Sequence, residues 1–154
     1  MKRLLLAAMI SAGLAGSVHA GGLESFVGKK PAALLKQEKP FAKAYRIATR
    51  DADLPRWTEK PTGGFPTEAL ELEGKTLLLV SACSPNGCAD ERLYALYAPA
   101  DQSITGLLFL PDADGESRIV FSRWFGKTPT PVQSQYLLER ASNDAEPARP
   151  LPNQ

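Results

Sequence analysis

The shortest stretch able to do chemistry is S-A-C-S-P-N-G-C at residues 81–88, where Cys83 and Cys88 enclose Ser84, Pro85, Asn86 and Gly87. Cys-x4-Cys is not the Cys-x-x-Cys of a thiol oxidoreductase. A bridge across so small a ring restrains a loop tip rather than distant parts of a fold, and the loop-entropy relation gives it about 2 kcal/mol. The enclosed residues have turn chemistry throughout: proline presets φ at the second turn position, asparagine tolerates the third, and glycine closes the turn. Two readings stay open on these residues alone. Either they only make a stapled turn, or they form a preorganised tip that enters a partner's cleft with little entropy left to lose.

Other groups offer less. Asp90 and Glu91 adjoin the ring, but neighbours on a strand point to opposite faces and make a poor glycosidase pair. D-A-D-G-E at 112–116 has the acids of a calcium loop without its spacing or terminal glutamate, and reads as a hairpin turn. Trp57, Trp124, Tyr94 and Tyr97 could stack on sugars, although aromatics on alternating strands more often fill a core.

The start of the chain bounds the chemistry further. M-K-R, an apolar stretch from Leu4 to Val18 and V-H-A at Val18–Ala20 form the pattern of a cleaved secretory signal over residues 1–20. The stretch is shorter than the roughly 20 residues of a membrane span, and no cysteine follows it, so no membrane anchor is expected. The 18 basic residues less Lys2 and Arg3 leave 16 against 17 acidic ones, a formal charge of −1 on Gly21–Gln154. That balance disfavours a nucleic-acid partner, which selects a basic domain. The single histidine, His19, leaves with the leader. Without it the chain has no Ser-His-Asp or Cys-His unit and no histidine metal site. A non-enzymatic protein with no catalytic residue, metal or cofactor is expected. Export to an oxidising compartment makes pairing of Cys83 with Cys88 the expected state.

The elements that position the ring follow from periodicity. Pro31–Gln37 reads as a short helix with proline in its first turn. A second helix opens at Pro40, with Phe41, Ala44, Tyr45 and Ala48 on one stripe. K-P-T-G-G-F-P at 60–66 is a loop rich in breakers. From Glu68 the period changes to two. E-A-L-E-L-E, T-L-L-L-V-S-A-C (buried on both faces), E-R-L-Y-A-L-Y-A, I-T-G-L-L-F-L and S-R-I-V-F-S-R-W-F form an antiparallel meander. Thr130 caps a last helix, with Ser134, Leu137, Leu138 and Ala141 facing inward. The expected fold is α+β: a five-stranded antiparallel β-sheet with flanking helices packed on one face. One domain spans 21–142, followed by a polar, proline-rich, disordered tail at 143–154.

L-P-R-W, then G-G-F, then E-G-K-T-L-L-L-V-S-A-C-x-P-x-x-C, then the turn into I-T-G-L resemble the inhibitor of vertebrate lysozyme (Ivy) family in order and spacing, from about Ala42 to Phe109. The resemblance implies a five-stranded sheet with flanking helices, location in the Gram-negative periplasm as a soluble exported protein, and often a homodimer. It also implies a mechanism. The disulfide-closed loop plugs the lysozyme active-site cleft, and a loop histidine hydrogen-bonds the catalytic carboxylates. The family's loop is typically Cys-Lys-Pro-His-Asp-Cys. Cys83, Pro85 and Cys88 match it, whereas Ser84, Asn86 and Gly87 replace its lysine, histidine and aspartate. The expected target is a lysozyme or a lytic transglycosylase, met by Ser84, Pro85, Asn86 and Gly87. The rival expectation is a periplasmic glycan-binding or interaction module that keeps the fold and has lost inhibition.

Overall fold

The computed structural model describes residues 23–110 and 121–144. The expected leader at 1–20, the D-A-D-G-E turn at 112–116, the opening of the fifth expected strand through Val120 and tail residues 145–154 lie outside the described residues. The elements run in the order α1 (Pro31–Gln37), α2 (Lys39–Thr49), a 3-10 turn (Arg56–Glu59), β1 (Gly63–Gly64), β2 (Glu68–Leu72), β3 (Lys75–Ser84), β4 (Gly87–Ala98), β5 (Ser103–Leu110), β6 (Phe121–Gly126) and α3 (Pro131–Asp144).

Every ladder is antiparallel, so the α+β class holds. The strand count is corrected: the described sheet has six strands, ordered β1-β3-β4-β5-β6 with β2 also on β3. β2 covers one half of the β3 edge, from Leu72↔Lys75 to Glu68↔Leu79. β1 covers the other half, at Gly63↔Cys83 and Gly64↔Ala82. The extra strand is a glycine pair that joins through its backbone alone. It has no side-chain alternation to reveal it, and so it reads as part of a loop.

The expectation that the helices share one face is also corrected. Alternate side chains of a strand point to opposite faces, and both sets in β3 are apolar. Leu78, Val80 and Ala82 meet Leu93, Ala95, Tyr97, Ile104, Leu108 and Phe125 under α1 and α2, which supply Leu34, Phe41, Ala44 and Tyr45. Leu77 and Leu79 meet Tyr94, Leu96, Leu107 and Phe109 on the other face, covered by Leu137 and Ala141 of α3. A single helical layer would leave one of these sets in water, at about 1.5–3 kcal/mol per leucine. Two layers are therefore needed. The α2 stripe is as expected, and its Phe41 meets Tyr97 edge-on at 5.3 Å between ring centroids. Thr130 and Gln133 cap α3 reciprocally, Gln133 N donating to Thr130 Oγ1 at 3.1 Å and Thr130 N to Gln133 Oε1 at 3.2 Å. In α3, Leu137 and Ala141 are buried but Leu138 is exposed, contrary to the expected stripe.

Two contacts matter for what the sheet carries. At the centre of the α1–α2 face, Gly106 pairs with Phe125, and a Cβ at Gly106 would lie 2.0 Å from Phe125 Cζ. The absent side chain is the space the ring occupies. Near the β3–β4 end, the Tyr45 hydroxyl donates to the Thr58 carbonyl at 2.6 Å. This bond ties the 3-10 turn, and with it Trp57, to α2.

Candidate functional site

The ring lies at the β3–β4 turn. Cys83 and Cys88 form a disulfide with Cα atoms 4.7 Å apart. Ser84 pairs with Gly87, and the Ser84 hydroxyl donates to the Gly87 carbonyl at 3.2 Å. Pro85 and Asn86 are thus the turn residues, and both are exposed, whereas Cys83 and Ser84 are buried and Gly87 and Cys88 half-buried. Of the four residues expected to meet a partner, the turn presents Pro85 and Asn86. Ser84 faces inward and closes the turn. Gly87 has φ +134°, in the region that favours glycine. An aspartate there, as in the resembled family's loop, would be strained, so the substitution of glycine and the shape of this turn go together.

The ladder does not run smoothly into the ring. Ser84 faces Gly87, but the preceding residue, Cys83, faces Arg92, so Cys88–Glu91 are set out of register. Side chains replace the lost pairing. Glu91 accepts a hydrogen bond from the Trp57 indole. Arg92 donates through Nε to the Cys88 carbonyl and through Nη1 to the Tyr94 hydroxyl at 3.5 Å. Tyr94 in turn donates to Asp144 Oδ2 at 3.2 Å. Arg140 bonds the same carboxylate oxygen at 3.0 Å and reaches Glu68 at 2.7 Å. Burial pushes the Tyr94 phenol up to about 12, against the opposing pull of Arg92. It therefore stays a neutral donor at any ordinary pH.

These ties decide the weaker candidates. Tyr94 and Tyr97 are buried, which removes them as platforms for a sugar, whereas Trp57 and Trp124 pack against the two cores and are half-buried, Trp124 also lining a surface pocket with Ile47 and Phe125. Glu91 is engaged by Trp57, while the Asp90 side chain lies outside the described parts. Among the described residues no three His, Cys, Asp or Glu side chains gather as a metal site, and no helix is long and apolar enough to cross a membrane. Sequence reading missed Glu91 and Arg92 as supports of the ring. One signal was there to find: Arg92 is a basic residue in phase with Tyr94 and Leu96 on an apolar face.

No protein-family model matches the chain. It is 28% identical over 101 residues to a Pseudomonas aeruginosa protein named inhibitor of vertebrate lysozyme. The chain is a divergent homologue of that inhibitor. The match covers 61% of this chain and 65% of the inhibitor, so just under two thirds of the inhibitor's length is spanned.

Proposed function

We propose that this chain is an exported, periplasmic, non-enzymatic inhibitor of a peptidoglycan-cleaving enzyme, a lysozyme or a lytic transglycosylase. It acts by inserting the Pro85–Asn86 tip of the Cys83–Cys88 ring into the active-site cleft. The observation that carries this reading is the exposed two-residue tip on a disulfide-closed, side-chain-braced turn, in a homologue of a protein named for inhibiting vertebrate lysozyme. A preordered tip loses little entropy on entering a cleft. The Asn86 amide both donates and accepts, so it can pair with a carboxylate in either protonation state. A homodimer is consistent with the resemblance and leaves this mechanism unchanged.

The rival, a glycan-binding module, is disfavoured by the burial of Tyr94 and Tyr97 and by the engagement of the Trp57 indole with Glu91, which leave Trp124 as the one half-exposed ring of the four without a hydrogen bond among the described residues. The test uses the chain from Gly21 in a clearing assay on peptidoglycan, with a panel of vertebrate lysozymes and lytic transglycosylases. Inhibition of at least one enzyme is expected, weakened about tenfold or more by Asn86→Ala, an exposed change that leaves the fold intact. Soluble glycan binding with no inhibition anywhere in the panel would favour the rival.

A further inference from the structure

We propose that Glu91 and Arg92 are positioning residues that aim the ring, by tying its base to opposite helical layers of the fold. The inference rests on the proposed function only in treating the tip as the contact surface. Its starting point is the register shift. A regular hairpin would continue from Ser84↔Gly87 to a Cys83↔Cys88 pair and keep the backbone ladder. Here Cys83 faces Arg92 instead, and Cys88–Glu91 leave the ladder. Cys83 is held in the ladder by Gly63 and Arg92, so without further contacts the ring would be anchored on its β3 side and loose on its β4 side. A covalent staple fixes the shape of such a ring but not its direction.

Two consecutive side chains supply the direction. Neighbours along a strand project to opposite faces. Glu91 reaches Trp57, which packs against the core beneath α1 and α2 on a turn tied to α2 by Tyr45. Arg92 projects to the other face, where it takes the Cys88 carbonyl and meets Tyr94. Tyr94 connects to Asp144 of α3. Arg92 is only 7% exposed. Placing a guanidinium in such a site is unfavourable unless its donors find partners, and one of its partners is the carbonyl of a ring cysteine. A turn that served only to reverse the chain would need neither a buried guanidinium nor a carboxylate held from the far layer. The arrangement therefore acts on the ring as two guy-lines act on a post.

The experiment uses the oxidised chain from Gly21 and reads backbone amide order at Asn86, Gly87 and Cys88 by nitrogen relaxation, together with the dissociation constant for the enzyme inhibited most strongly. In the unsubstituted protein the tip amides are expected near the rigid value of about 0.85. In Trp57→Phe and Glu91→Ala they are expected to fall below about 0.6, with the disulfide intact, the strand amides unchanged and affinity down about tenfold or more. Glu91→Gln, which keeps an acceptor, should restore both, and the Trp57→Phe/Glu91→Ala double variant should be no worse than either single one. Arg92→Met is expected to loosen the same amides. Should it fail to fold, the Trp57–Glu91 pair still decides the matter. Folded Trp57→Phe and Glu91→Ala proteins with rigid tips and unchanged affinity would overturn the proposal. If the unsubstituted protein inhibits nothing, the functional reading fails while the order parameters still decide whether these residues aim the ring.

Discussion

Replacing both Cys83 and Cys88 with serine separates what the bridge does for the fold from what it does for the tip. The cysteines are five residues apart, and the loop-entropy relation gives about 2 kcal/mol for a closure of that size. Cys83 is 2% exposed, so a serine hydroxyl placed there adds about 1 kcal/mol if it finds no good partner. Against this total of about 3 kcal/mol stand the β3–β4 pairs from Ala82↔Leu93 to Leu78↔Tyr97, none of which needs the ring. The melting temperature is expected to fall by about 10 °C in a domain of this size, with one cooperative transition retained. Binding is expected to suffer more. Each backbone residue that must be ordered on binding costs about 1–2 kcal/mol, and both Pro85 and Asn86 lose their restraint. The ties at Glu91 and Arg92 keep part of the order, so inhibition should weaken by at least about tenfold rather than vanish. Circular dichroism melts and inhibition titrations on the same preparation measure both quantities. Loss of cooperative unfolding would refute the reasoning about the fold, and undiminished inhibition would refute the reasoning about the tip.

Four further outcomes are expected. Asn86→His places a chargeable donor at the exposed tip and should tighten inhibition of a vertebrate lysozyme by about 1–2 kcal/mol, with no change in melting temperature. The companion change Gly87→Asp should instead cost stability, because of the positive φ at that position. Gly106→Ala drives a methyl into the Phe125 ring and should destabilise the domain by about 1–3 kcal/mol, read as a lower urea midpoint. All four tyrosines have phenols raised by burial, Tyr94 to about 12 and Tyr45, Tyr97 and Tyr136 also upward. Their contribution to stability is therefore complete below the unfolded value of about 10 and lost as pH rises through the folded values. Phenolate absorbance should appear together with loss of ellipticity above about pH 10, and a tyrosine titrating normally in the folded protein would contradict this.

Much of the fold was legible because its signals are local. Proline in a first turn marks α1 with its observed bounds, and Thr130 marks the cap of α3. The alternation from Glu68 onward gives the meander. The two-sided burial of T-L-L-L-V-S-A-C already required cover on both faces, and the one-layer expectation overlooked its own consequence. Leu138 was misplaced because Leu137 and Leu138 both fit a helical stripe, and only the partner surface decides which one turns inward. The ring's position and its turn residues were readable from Cys83, Pro85 and Cys88. Its supports were not. The Glu91–Trp57 contact spans 34 residues, and the Tyr94–Asp144 contact spans 50. No periodicity encodes a polar contact between segments that meet only through the fold.

The register shift at Cys83 has a consequence for engineering. Because the strand pairs that bury the core begin at Ala82↔Leu93, the segment between the two cysteines, Ser84 to Gly87, can be exchanged as a cassette without resetting the alignment beneath it. A longer or differently charged insert would sit above the out-of-register span, still bounded by the two cysteines and still braced by Glu91 and Arg92. One scaffold could then carry a library of tips against different clefts, with its stability fixed by one set of residues and its choice of target by another.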